Sequence, residues 1–292
     1  LLTDSLLNMK YIIDRQSKSG TIPANIVNPV STRTDLLDYQ KIRKDGLIST
    51  YQNPYALPLG FLSSSHILNL DNPTKDPTQY QANLWASLTG NPKDTHLYSA
   101  QNFDHVIFQN VKQQTKLTGA ILQKANLFKP GEITFNFTPK TNNAYYLTLG
   151  SNLNDDNVTI KLNNHPLAQY PTYRNTIVVN IADHQNKPVK LQLALKKSTL
   201  WLQNFTLYQF NNQQFLAGQK KLAAHPLKVT QHNQSSLTGT VNVQSKKATL
   251  MTTIPYSKGW HVTVDGHAVK PIKVAGIFTA LNLQRGQHIV HF

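Results

Sequence analysis

The 292 residues contain no cysteine. This removes disulfides and thiolate metal sites but does not assign the chain to the cytosol. Glutamate is almost missing: Glu132 stands alone beside a Pro-Gly turn, with thirteen aspartates scattered elsewhere. Glycoside hydrolysis needs two carboxylates flanking a sugar, and no pair is selected by spacing. No apolar run approaches the ~20 residues that span a bilayer. The chain opens on Leu1 without methionine and without a signal peptide, and it stops at Phe292 at the end of a strand. It therefore reads as a soluble piece of a larger parent. A P-loop, a dinucleotide fingerprint, H-E-x-x-H and the G-x-S-x-G elbow are all missing. Ser63 to Ser65 beside His66 thus reads as a polar turn, and no cofactor is expected.

Basic residues, by contrast, are in excess. Twenty-nine Lys and Arg against fourteen Asp and Glu give a formal charge of +15, a surface that attracts polyanions. The charge is spread along the chain and not gathered in an arginine-rich helix, which argues against a nucleic-acid reader. Lys258, Lys270 and Lys273 are candidate contacts for an anionic polymer or lipid head group.

Residues 1–96 show the least regular pattern. Leu6 to Ile13 reads as a buried strand, Asp35 to Lys44 as a short helix stopped by Asp45-Gly46, and NPYALPLGF as extended or turning. The clearest helix begins at Pro77, with Asp76 as N-cap and Gly90 as the close. Tyr80, Leu84, Trp85 and Leu88 share one of its faces, which places Trp85 in a core.

From 97 to 210 the period becomes two. Ile133, Phe135 and Phe137 alternate with polar residues. So do Val158, Ile160 and Leu162, ahead of an Asn163-Asn164 turn, and Val189 to Leu195 follow the same rule. Short strands with one apolar face predict an antiparallel sandwich resembling a jelly roll. Residues 211–224 predict a connecting helix docked by Phe215, Leu216 and Leu222. Residues 225–292 predict a second, smaller sandwich. The expected fold is mainly β, with a minor α+β segment at 1–96 packing on the larger sandwich.

The last stretch carries the sharpest signals. Asp265-Gly266 between valine-rich alternating segments predicts a two-residue hairpin pairing Val264 with His267 and Val262 with Val269. Trp260, Val262, Val264 and Val269 then share a face, which makes Trp260 a core residue first and a sugar-stacking residue second. Asp265 before glycine is explained by the turn itself, with ligation as the alternative. Ile277 to Leu283 and Gln287 to Phe292 read as two strands joined through Arg285-Gly286. His288 lies on the face of Val290 and Phe292, so hydrogen bonding to backbone is the expected role. His291, three residues on, faces the other way, and no metal site is expected. Asp155-Asp156 lacks EF-hand spacing and reads as a solvated loop.

IPYSKGW, VDG and GQHIV resemble the C-terminal end of the YfhO family of bacterial membrane proteins, where a pattern close to IPY-x-x-GW-x-V-x-VDG precedes a G-x-H strand. LLNMKYII at 6–13 and NPTKDPTQYQANLWASLTG at 72–90 fit as well, although the latter departs from the family's usual phenylalanine-and-asparagine spelling. The resemblance implies a parent with many transmembrane helices before Leu1 and another after Phe292. Such parents look like glycosyltransferases that use a lipid-linked sugar to decorate lipoteichoic acid or a similar polymer. Their catalytic acidic residues lie in loops of the membrane part, so none carries over to this chain. Pro255, Gly259, Gly266, Gly286 and His288 are its framework. The expected partners are an anionic envelope polymer or glycan and the parent's membrane part, on the extracellular face of the cell membrane. The four N-x-S/T sequons, at Asn136, Asn157, Asn204 and Asn233, are then chance. The alternatives are a carbohydrate-binding or adhesion module with an exposed aromatic platform and a secreted glycosidase or lyase, which the lone glutamate disfavours.

Overall fold

The computed structural model describes residues 1–15, 36, 38–70, 74, 76–167 and 175–292. The chain starts with a single helical turn and more, α1 (Leu2–Leu6), and then an edge strand, β1 (Tyr11–Arg15). Tyr11 and Ile13 are 58% and 72% exposed while Ile12 packs on the core, so the buried strand expected over Leu6 to Ile13 is replaced by a buried helix and a half-exposed edge strand. Next come β2 (Gln40–Asp45) and β3 (Ile48–Gln52), the latter pairing with both β1 and β2. The expected helix over 35–44 is thus corrected to a strand from Gln40, while Asp35 lies outside the described residues. Every residue of β2 is exposed; with no apolar stripe to set a period, pairing with β3 decides the conformation. Gly46, at φ +56°, belongs to the two-residue connection between Asp45 and Ile48 and turns a hairpin instead of stopping a helix.

After β4 (Gly60–Ser63) comes α2 (Pro77–Thr89), capped as its sequence demands. The Asp76 carboxylate accepts from the N–H groups of Thr78 and Gln79, and Gly90 closes the helix at φ +69°. Leu84, Trp85 and Leu88 are buried.

The sandwich follows. One sheet holds β6 (His105–Gln109), β8 (Gly131–Phe137), β10 (Val158–Leu162), β11 (His165–Pro166) and β13 (Val189–Leu195), in the order β11-β10-β13-β8-β6. The other has the order β12-β9-β15-β5, from β5 (Tyr98–Gln101), β9 (Tyr145–Leu149), β12 (Ile177–Ala182) and β15 (Thr206–Phe210). A two-stranded ribbon, β7 (Ile121–Gln123) with β14 (Thr199–Trp201), lies apart from both sheets. Strict alternation of buried and half-buried residues along β8 and β13 supplies half of the core. Asn163 and Asn164 both take positive φ between Leu162 and His165, the geometry a two-residue hairpin needs. All five residues of β9 are buried. Tyr145, Leu147 and Leu149 face the sandwich core, whereas Tyr146 joins a separate core with Leu1, Trp85 and Phe210.

That separate core unites the chain. It contains Leu57, Phe61, Trp85 and Leu88 from the N-terminal segment, Phe215 and Leu222 from α3 (Asn212–Ala223), and Met251, Phe278 and Ala280 from the C-terminal sheet. In that sheet, β16 (Lys228–His232), β17 (Leu237–Pro255), β18 (Val262–Val264), β19 (His267–Val269) and β21 (Phe278–His291) run in the order β16-β17-β21-β18-β19. β20 (Ile272–Val274) pairs with β21, and β4 pairs with β17. The expected break at Arg285-Gly286 is absent: β21 is continuous, and β17 pairs with it from Thr238 to Pro255. Midway, three residues of β17, Gln244 to Lys246, face the single Arg285. This bulge and Gly286, at φ +140°, bend the pair. Val241, Val290 and Phe292 from one half and Leu250, Leu281 and Leu283 from the other fill one core, so the sheet folds over itself into the smaller sandwich.

Candidate functional site

The hairpin between β18 and β19 has the expected register, with Val262 opposite Val269 and Val264 opposite His267. Asp265 and Gly266 take φ +53° and +81°. Trp260 is half-buried, packs edge-to-face on Phe292 at 6.2 Å and donates its indole N–H to the Pro255 carbonyl at 3.0 Å. Gly259 lies in the preceding turn, its N–H held by Ser257 Oγ. The Asp265 carboxylate accepts from the Ile289 N–H at 2.8 Å and meets His288 Nδ1 at 2.7 Å. The other ring nitrogen of His288 faces the Gln284 carbonyl at 2.9 Å. Lys258, Lys270 and Lys273 are all exposed. His291, on the opposite face from His288, bonds to Thr238 Oγ1 at 2.7 Å.

A second arrangement was hidden in the sequence because its residues come from four distant segments. A cavity of about 410 Å³ opens where the end of β4, the C-terminus of α2, α3 and the β17 bulge meet. Ser64, Lys221, His225, Gln244 and Lys247 line it. A neighbouring cavity of about 300 Å³ shares His225 and Gln244 and adds Lys228, Asn242 and Gln287. The two adjoin as an open, shallow trough whose Lys221, Lys228, Lys247 and His225 are exposed, and among the described residues no Asp or Glu lines either part.

The trough is built on fixed parts. Ser64 accepts from the His66 N–H, capping the helical turn after β4. Lys221 donates to the Thr89 carbonyl at 2.7 Å, satisfying an orphan acceptor at the α2 C-terminus. Beneath it, buried Asp94 accepts from Thr89 Oγ1, from Asn91 Nδ2 at 2.8 Å and from Gln214 Nε2 at 2.9 Å, joining α2 to α3. Ser245 Oγ donates to the Lys247 carbonyl at 2.8 Å and sets the bulge. Such a surface offers cationic charge and hydrogen-bonding groups, with Ser64, Ser65 and Ser245 in the same lining as His225.

No group of three or more His, Asp or Glu side chains is placed to hold a metal ion among the described residues. Asp155 pairs with Lys196 at 2.9 Å, and Glu132 accepts from Gln192 Nε2 at 2.9 Å. Among the described residues no helix is long and apolar enough to cross a membrane.

The family model described as bacterial membrane protein YfhO matches residues 1–292. A curated Bacillus subtilis (strain 168) relative, the uncharacterized protein YfhO, is 23% identical over 305 residues. The match covers 97% of this chain and 32% of that protein, so the chain spans about a third of its relative's length. Among solved structures, Bacteroides uniformis β-glucuronidase 2 with a covalently bound cyclophellitol-derived aziridine aligns with a TM-score of 0.26 at 9% identity, over 67% of this chain and 27% of that one. A glycosyl hydrolase family 2 member from Bacteroides cellulosilyticus DSM 14838 aligns with a TM-score of 0.23 at 10% identity, over 97% and 30%. Superpositions this shallow bear on neither fold nor function.

Proposed function

This chain belongs to the YfhO family of bacterial membrane proteins, and from that premise we propose that it is the extracellular, non-catalytic region of a multi-pass parent and holds an anionic polymer of the cell envelope in position. The observation that carries this reading is the trough, where Lys221, Lys228 and Lys247 stand among amides and hydroxyls with no carboxylate of the described residues in the lining. The charge of +15 supports it by drawing polyanions to the whole surface. The exposed Lys258, Lys270 and Lys273 add to that field, whereas Trp260 and Asp265 serve the hairpin on which they sit. The parent, in this proposal, transfers a sugar from a lipid-linked donor to lipoteichoic acid or a related acceptor, and the chemistry belongs to its membrane part.

Titrating the chain with purified lipoteichoic acid and with a neutral glucan tests the proposal. Saturable binding of the first alone supports it. Absence of binding, or equal binding of both, removes it.

A second reading, a carbohydrate-binding or adhesion module, is favoured by one observation. Trp201 is 45% exposed and sits opposite exposed Ile121 in the β7–β14 ribbon. That ribbon would stack a neutral glycan, so binding of the glucan abolished by W201A would favour this reading.

A further inference from the structure

Phe128 is 98% exposed and its neighbour Leu127 is 61% exposed, at the tip of the loop after β7. The loop is firmly built. Asn110, at φ +50°, directs its side-chain amide at the carbonyls of Asn126, Lys129 and Pro130, at 2.8, 2.9 and 3.1 Å. Its side-chain oxygen accepts from the Asn126 N–H, and Asn126 in turn accepts from the Phe128 N–H at 2.9 Å. At the base, Lys124 N–H donates to the Ser198 carbonyl and Ala125 N–H to that of Asn110. A loop free to collapse would fold its phenylalanine onto the sandwich; this one holds it in water.

Charge decides what meets that tip. Residues 105–131 contain Lys112, Lys116, Lys124 and Lys129, and the acid next in sequence, Glu132, is half-buried and accepts from Gln192 Nε2. Leucine and phenylalanine side by side, flanked by lysines, match the two layers of an anionic bilayer surface: acyl chains below, phosphate head groups above. A glycan platform would present the face of a partly supported ring with hydrogen-bonding side chains around it, and Phe128 has no ring partner among the aromatic contacts of the described residues.

We propose that the Leu127–Phe128 tip inserts into the interfacial layer of an anionic membrane, with Lys124 and Lys129 on the head groups. The proposal is independent of the trough. Two apolar side chains give weak, reversible contact, which the attraction of the +15 chain to anionic head groups supplements. Its effect is to fix the orientation of the sandwich over the bilayer.

The test is flotation of the 292-residue chain with vesicles of phosphatidylglycerol and phosphatidylcholine, and with phosphatidylcholine alone. The expected result is recovery on the anionic vesicles that falls at least about threefold in L127S/F128S, with an unchanged melting temperature. K124Q/K129Q should float less on the anionic vesicles than wild type, with a preference for them kept by the rest of the +15 charge. As a second readout, brominated acyl chains should quench F128W more strongly than wild type, whose exposed indole is Trp201 in the β7–β14 ribbon. No flotation of the wild type, equal flotation of L127S/F128S, or no quenching of F128W overturns the proposal. Loss of glycan binding in L127S/F128S without loss of flotation would make the tip a sugar platform and overturn it equally.

Discussion

Asp265 in the hairpin turn and His288 in the last strand, 23 residues later, meet at 2.7 Å. His288 has only acceptors at its ring, the Asp265 carboxylate at Nδ1 and the Gln284 carbonyl at Nε2. Both contacts are hydrogen bonds only when both nitrogens carry protons, that is, as imidazolium.

Partial burial opposes that charge, but the bond to Asp265, the Gln284 carbonyl and the charge of Asp265 outweigh it and raise the His288 pKa above its ordinary 6.5. Asp265 moves the other way, below 3.8, through the His288 bond and then the Ile289 N–H. The histidine's contribution to stability is therefore full below pH 6.5 and is lost as pH rises through its raised folded value. The aspartate's is present above 3.8 and is lost as pH falls through its lowered value. Thermal melts should show wild type losing its advantage over H288Q as pH climbs above 6.5. A pH-independent difference between the two would contradict the charged pair.

Gly218 in α3 lies against Trp85: a Cβ there would meet the indole Nε1 at 2.7 Å and Thr89 Cγ2 at 2.9 Å. Alanine is the better helix former by about 1 kcal/mol, whereas overpacking a closed core costs about 1–3 kcal/mol. The clash wins because both neighbours are buried. Urea denaturation should find G218A less stable by about 1–2 kcal/mol; a stabilised variant would mean that the two helices part freely.

Asp94 collects three donors below the trough, from Thr89, Asn91 and Gln214. Removing the carboxylate leaves them without their shared acceptor at a buried site, a loss of about 3 kcal/mol. D94A should lower the melting temperature sharply, and hydrogen exchange should quicken first where α2 meets α3. Exchange that quickens only in the distant sandwich would place the network's role elsewhere.

At Gly286 a Cβ would meet only the His288 ring, in ordinary van der Waals contact with Nε2 at 3.8 Å and Cε1 at 3.9 Å. The constraint is the φ of +140°, a conformation costing L-residues about 1–3 kcal/mol. G286A should therefore be destabilised by that amount and, by disturbing the bulge opposite, should also weaken polymer binding. Wild-type stability in G286A would show that the bend does not depend on this backbone.

Local geometry made parts of the fold readable in the sequence. Asp265-Gly266 needs two positive φ angles, the Asp76 cap and Gly90 close bracket α2, and β8 and β13 alternate without exception. Where the outcome rests on distant pairing, the residues mislead. Gln40–Asp45 has no buried residue to set a period. Arg285-Gly286 looks like a turn because glycine at positive φ serves hairpins and bulges alike. Lys258, Lys270 and Lys273 were visible as charge, but the trough draws on β4, α2, α3, β16, β17 and β21. Only the folded chain brings those together.

Binding of a poly(glycerol phosphate) chain to K228Q/K247Q and to K258Q/K270Q/K273Q, measured by calorimetry at low and at physiological salt, tests the central claim most directly. Exposed charges are screened beyond about 8 Å at physiological ionic strength, so a contribution from the general field fades while contacts within a shaped trough persist. The trough variant should bind at least about tenfold more weakly than wild type at both salts, with the hairpin variant affected mainly at low salt. Equal weakening of the two variants, or binding of wild type that vanishes at physiological salt, would contradict a shaped site and leave only the charge.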